Sequence, residues 1–155
     1  MPDTDLARNE LVARFAAHLG DGLLESHVAP DVDVWLRVSR ESWREAAEFA
    51  KNGLGFAYFN FLSGIDWMPS PFGREMDSQI DIALGNDEAS KIDQTIVQGI
   101  AGGETRFQVF ARLNDIVNGL GITLKVDLPD DDLSVDSWVP VYPGANWHER
   151  EAWEM

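Results

Sequence analysis

Apolar positions first recur with helical spacing. Leu11, Val12, Phe15, Ala16 and Leu19 share one face of a helix over residues 5 to 19, with Thr4 placed to cap its start and Gly20 to end it. From Val32 to Val38 the period drops to two: Val32, Val34, Leu36 and Val38 face one way, Asp33, Trp35 and Arg37 the other. That alternation predicts a strand. Ser39 can then cap a second helix reaching about Asn52, with Trp43, Ala46, Ala47 and Ala50 on one face and Gly53 as its stop. Gly55 to Leu62 is crowded with the aromatics Phe56, Tyr58, Phe59 and Phe61. It is apolar on both faces, as in a central strand covered on each side.

The rhythm breaks between Asp66 and Gly103, where Pro69, Pro71, Gly73, Gly85, Gly99, Gly102 and Gly103 punctuate the chain. This stretch reads as an irregular insertion. Within it Ile80, Ile82 and Leu84 alternate like a short strand, and Asn86 to Thr95 is a polar loop. Alternation returns in Arg106 to Leu113 and in Gly121 to Leu128, and the Asn118-Gly119 pair between them predicts an antiparallel hairpin. After the acidic loop Asp130 to Asp132, Trp138, Val139 and Val141 lead into a final helix. The pattern as a whole predicts one α+β domain over residues 1–155, with helices packed on a mixed or antiparallel sheet and the insertion at 66–103.

Composition narrows the function classes. At 155 residues the chain is the size of a single domain. Its 27 acidic and 12 basic residues give a formal net charge of −15, which repels phosphate backbones and anionic lipid and favours a basic partner surface. There is no cysteine, so disulfides, thiolate zinc sites and cysteine-ligated iron–sulfur clusters are all excluded. The N-terminal Met1-Pro-Asp-Thr-Asp-Leu lacks the features of a signal peptide, and no apolar run approaches the ~20 residues of a membrane span. A cytoplasmic location is expected.

Individual chemistries fare no better. Gly53 and Gly55 follow a predicted helix and precede a strand, with Tyr58 where a dinucleotide fingerprint needs its third glycine; Gly99 to Gly103 fails similarly and lacks the Gly-Lys-Ser/Thr of a phosphate loop. The run Asp127, Asp130, Asp131, Asp132 and Asp136 lacks the alternating ligands and bidentate Glu of a calcium loop. His18, His27 and His148 are scattered, and no serine sits in a nucleophile elbow. The sequence therefore predicts no catalytic, cofactor-binding or metal-ligating residue in this chain.

The tail is more specific. Pro143-Gly144 makes a turn, and Asn146 with Glu149 three positions on has the spacing of a capping box, which predicts a helix from about Trp147. Glu149 and Glu151 then stand in the first turn, and Arg150 can pair with Glu154. Each effect contributes only about a few tenths of a kcal/mol when exposed. Two readings remain open: a terminal helix whose tryptophans cover the domain's own core, or a docking surface anchored by Trp and Arg.

The string Ala145, Asn146, Trp147, Glu149, Arg150, Glu151, Trp153, Glu154 and Met155 resembles the signature of the C subunit family of the respiratory NADH-quinone oxidoreductase (complex I). In that family Ala-Asn-Trp leads into Glu-Arg-Glu, an aromatic, an acidic residue and Met. Upstream, Leu62 to Asp66 is similar to the family's leucine-to-aspartate strand end, and Phe107 to Leu113 with Ile122 to Asp127 to its central hairpin. The likeness runs from about residue 30 onward, around the insertion. The family signature continues past Met with Phe-Gly-Ile, Gly-His-Pro and an arginine-rich segment, whereas this chain stops at Met155, as a truncation or with its final contacts supplied elsewhere.

The resemblance implies a non-catalytic subunit of the peripheral, hydrophilic arm, on the cytoplasmic side of the membrane. It would brace two complex I neighbours, the quinone-site subunit (type D) and the cluster-bearing subunit (type B), during electron transfer from NADH to quinone. NADH, FMN, iron–sulfur clusters and quinone would belong to partner subunits, with no cofactor bound by this chain. The implied interface residues are Asn146, Trp147, Glu149, Arg150, Glu151 and Trp153. Two alternatives stand beside this: the homologous subunit of a membrane-bound hydrogenase-type complex, and a stand-alone small-molecule-binding α+β domain, which would need a deep apolar pocket.

Overall fold

The computed structural model describes residues 2–70, 83–85 and 93–154. Helix α1 (Pro2–Leu19) and a 3-10 turn (Gly20–Gly22) lead into β1 (Leu23–His27) and β2 (Val34–Val38). Helix α2 (Trp43–Glu48) widens into a π-helical turn (Phe49–Gly53) before β3 (Tyr58–Asp66). The hairpin β4 (Phe107–Asp115) and β5 (Leu120–Leu128) follows, and α3 (Ala145–Glu154) closes the order. The strands form one mixed sheet in the order β1-β2-β5-β4-β3, antiparallel throughout except for the parallel β2–β5 pair. This is the α+β domain that the periodicity predicts.

Register explains the core. Val34, Leu36 and Val38 lie opposite Ile122, Leu124 and Val126, which in turn face Leu113, Ala111 and Val109. All of these are buried on one face of the sheet, covered by α1, α2 and the segment before α3 through Phe15, Trp43, Ala46, Ala47 and Trp138. Trp43 and Trp138 stack at 4.4 Å between ring centroids, and the Trp138 indole donates to the Trp43 carbonyl at 3.1 Å.

Several boundaries differ from the sequence expectation. Helix α1 begins at Pro2, so Thr4 lies inside it; proline suits a first helical position because its missing N–H would have no partner there. Strand β1 went unpredicted, since four of its five residues are exposed and no alternation marks it. Val32 is outside β2, its carbonyl accepting from Arg8 Nε at 2.9 Å after a left-handed turn at Asp31. The second helix starts at Trp43 because Ser39 closes a preceding turn instead, its hydroxyl accepting the Ser42 N–H at 3.3 Å. Gly53 does end that helical segment: the Phe49 ring occupies the space a side chain would need there.

The larger correction concerns β3, which is an edge strand and not the centre of the sheet. Its two apolar faces have separate causes. Phe59 packs on Tyr142 and His148 toward the helices, while Phe61 meets Phe110 edge-on across the opposite face. The true centre is β5, buried at most positions.

Asp66 pairs with Phe107, so the chain between β3 and β4 leaves and re-enters the sheet at adjacent strands. Ile80, Ile82 and most of the stretch from Asn86 to Thr95 lie outside the described residues; Leu84 is exposed in a short turn.

Candidate interaction surface

Helix α3 begins at Ala145, two residues before the predicted start, so Glu149 and Glu151 are beyond its first turn. The capping box does not form. Glu149 reaches instead to the preceding segment, accepting the Trp138 N–H at 2.6 Å and the Ser137 hydroxyl at 2.7 Å. It pins the helix to the loop that carries the core tryptophan. The inward face is completed by buried Ala145, by His148 against Phe59, and by Ala152 beside Gly64 of β3.

The outward face carries the remaining candidates. Trp147 and Trp153 are 72% and 88% exposed, so they do not cover the domain's own core. Asn146, Arg150 and Glu151 are exposed as well. Arg150 lies over the Trp147 ring, 5.3 Å from its centroid, and among the described residues makes no ion pair with Glu154. The structure thus brings Trp147, Arg150 and Glu151 to one solvated helix face, with Trp153 and Asn146 toward its margin, and turns Glu149 inward. Exposed tryptophans beside arginine are the usual anchors of protein interfaces.

A second polar cluster, not predicted from the sequence, occupies the sheet face opposite the helices. Arg37 donates to Asp127 at 2.7 Å, Glu25 at 3.3 Å and the Ala101 carbonyl at 3.1 Å. Lys125, only 1% exposed, donates to the carbonyls of Gln98 at 2.5 Å and Ile100 at 2.8 Å, 5.2 Å from the Trp67 ring centroid. Gln108 links Asp127, the Gly102 carbonyl and the Trp67 indole. Residues 98–102 therefore form a strap whose carbonyls turn inward onto side chains of the sheet. Three left-handed positions, Gly99, Ala101 and Gly102, make that turning feasible.

Burial works against the Arg37 cation, but the carboxylates of Asp127 and Glu25 more than offset it and raise its pKa. Lys125 goes the other way: burial pushes its ammonium down to about 8 from 10.5, against the pull of Asp127 and with Arg37 adding to the depression. The folded domain releases this proton near pH 8, whereas the unfolded chain holds it to about 10.5. Folding stability should therefore rise with pH across that window by roughly 3 kcal/mol. The strap should survive, because a neutral amine keeps two N–H donors for the two carbonyls. In Lys125→Met the rise should vanish, read as urea midpoints at the two ends of the window; an equal rise in the variant would show that Lys125 is not its source.

Other candidate groups do not converge. Among the described residues no three of His, Asp or Glu are placed to hold a metal ion. His18 stacks on Phe49 beside Glu45, while His27 lines an open groove of about 400 Å³ with Trp35 and Arg112. A smaller hollow of about 300 Å³ lies among Arg40, Glu41 and Asp136. Among the described residues no helix is long and apolar enough to cross a membrane.

Comparison with known proteins follows the tail and extends beyond it. The family described as respiratory-chain NADH dehydrogenase, 30 Kd subunit, matches residues 36–155. The chain is similar to the C/D subunit of NADH-quinone oxidoreductase from Citrobacter koseri, with 30% identity over 98% of this chain and 23% of that protein. The corresponding protein of Photorhabdus laumondii is 30% identical over 89% of this chain and 21% of its own length. That of Buchnera aphidicola is 44% identical over a shorter stretch, 34% of this chain and 9% of the relative. The chain thus spans under a quarter of the length of these relatives. In three dimensions it resembles the trypsin-resistant fragment (1-134) of Nqo5, with a TM-score of 0.61 and 19% identity, covering 95% of this chain and 90% of that one. That likeness concerns the fold.

Proposed function

The chain belongs to the family of the 30 Kd subunit of respiratory-chain NADH dehydrogenase, and on that premise we propose that it is a peripheral-arm subunit of the proton-translocating NADH:quinone oxidoreductase. In this reading it is non-catalytic and braces the quinone-site subunit (type D) and the cluster-bearing subunit (type B). It is held at the cytoplasmic side of the membrane through those partners. The observation that carries the reading is the family match over residues 36–155, which includes the whole of α3 and its exposed Trp147 and Trp153. The relatives' names join C and D, and this chain accounts for only 9–23% of their length, which supports a neighbour of D type.

The chain's own groups fit a bracing role better than a redox one. With no cysteine it offers no thiolate to an iron–sulfur cluster, so the clusters are assigned to other subunits; FMN, NADH and quinone are assigned there on the family reading alone. What this chain supplies is a rigid platform: Glu149 locks α3 to residues 137 and 138, and the helix presents Trp147, Arg150 and Glu151 to the partner. Fixing such anchors beforehand lowers the entropy lost on docking.

Co-purification of the full chain with the quinone-site and cluster-bearing subunits tests the proposal. The wild type should be retained, and Trp147→Ala/Trp153→Ala should weaken retention about tenfold or more. Both side chains are solvated, so the double variant should leave the melting temperature nearly unchanged. Retention of the wild type by neither partner would overturn the reading.

A further inference from the structure

The β4–β5 turn departs from ordinary turn chemistry. Gly, Asn, Asp and Ser dominate exposed turns, yet the apex here holds Ile116 and Val117, 71% and 92% exposed. The turn is also firmly held. Buried Asp115 accepts the backbone N–H groups of Val117 at 3.0 Å and Asn118 at 3.2 Å on one oxygen, and the Asn118 side-chain amide at 2.5 Å on the other. Gly119 supplies the left-handed residue that closes it, with a φ of 66°. Two branched apolar side chains are thus fixed in solvent, where they add nothing to the domain's core.

Other exposed apolar groups gather at the same end of the sheet. Tyr58, the first residue of β3, pairs with Asn114 at the foot of the turn. Asp33 sits against Gly121, which places Val32 beside the start of β5. Phe59 packs on Gly144 and His148, so the Trp147 end of α3 is at this end too. Val32, Tyr58 and Trp147 are all exposed. The surface is therefore continuous in kind with the α3 face, and the chain's net charge of −15 selects for positive groups around any partner that covers it.

We propose that this end of the sheet, with Ile116 and Val117 at its apex, is a second arm of the contact with neighbouring subunits, received by a protein surface that offers apolar sockets within a basic rim. The proposal rests on the assembly reading above. Its geometry suits an anchor, since a turn that is already rigid loses little freedom on insertion.

The test uses the full chain and the same two partners, the quinone-site and cluster-bearing subunits. Ile116→Ser/Val117→Ser should weaken association about tenfold while leaving the urea midpoint unchanged. Val117→Lys should weaken it more than Val117→Asp, because a basic rim repels the lysine; the reverse order would overturn the basic rim. If the Trp147→Ala/Trp153→Ala variant loses binding and the serine variant binds as wild type does, the second arm is overturned and the assembly reading stands. If the wild type binds neither partner, the assembly reading itself fails and takes this one with it. Self-association of the wild type, or adsorption to neutral phosphatidylcholine vesicles, that the serine variant abolishes would overturn the choice of a neighbouring subunit.

Discussion

Trp138→Ala is expected to lower the stability of the domain by about 3–5 kcal/mol. Trp138 is fully buried and stacked on Trp43, so its removal opens a cavity at the junction of α2, the sheet and the segment leading to α3. The polar consequences add to the packing loss. The Trp43 carbonyl loses the indole N–H that reaches it at 3.1 Å. Backbone bonds from Val141 and Tyr142 to the Trp138 carbonyl hold the turn before α3, and Glu149 of α3 accepts the Trp138 N–H. A cavity that lets this turn relax therefore loosens α3 as well. Urea unfolding should show the drop directly, and amide exchange should show α3 losing protection before the β4–β5 hairpin does. A loss below about 0.5 kcal/mol, the range of ordinary surface changes, would mean that the two tryptophans are not the tie described here.

Arg37→Ala should cost about as much, roughly 3–5 kcal/mol, for an electrostatic reason. The guanidinium is largely buried and is the principal cation facing Asp127, whose side chain is also mostly covered. Without it, Asp127 keeps only neutral donors, Gln108 Nε2 and the Glu104 N–H, with Lys125 as the remaining positive charge nearby. The Ala101 carbonyl of the strap is left without its donor at the same time. Because the penalty comes chiefly from an uncompensated charge, Arg37→Met/Asp127→Leu should recover much of it. Denaturant titrations of both singles and the double give the coupling directly; additive losses would refute the pairing as the cause.

How far the sequence disclosed this molecule depended on which signal marked each element. The β4–β5 hairpin was legible because alternation on both strands and Asn118-Gly119 between them agreed. Strand β1 was not, since an edge strand with four of five residues solvated has no apolar period to show. The aromatic run at residues 56–61 misled on position: two-sided apolarity can mean a central strand, or an edge strand that packs on a helix on one face and on a neighbouring ring on the other. At the tail, spacing gave Asn146 and Glu149 as a capping box, but it carried no information that Ser137 and the Trp138 N–H would lie within reach of Glu149. The strap cluster was hidden for a related reason. Arg37 and Lys125 fall on the polar phase of their strands, which ordinarily faces water, and only the return of residues 98–102 over the sheet buries them.

The single parallel pairing in the sheet has a consequence for the order in which the chain acquires structure. Leu36 of β2 meets Leu124 of β5, so the strand made early in synthesis finds its inner neighbour only after the hairpin has emerged. Contacts this distant along the chain close late, because the entropy of the intervening loop is lost before any burial repays it. Strands β4 and β5, joined by a tight turn, can assemble as a local unit first, with β3 adding to β4 across a longer connection. The segment from α1 to β2 would then dock onto the exposed flank of β5 as a final step. Until that step, Val34, Leu36 and Val38 remain open to solvent and to one another's copies. During biogenesis the window for misassociation should therefore end with the docking of the α1–β2 segment onto β5.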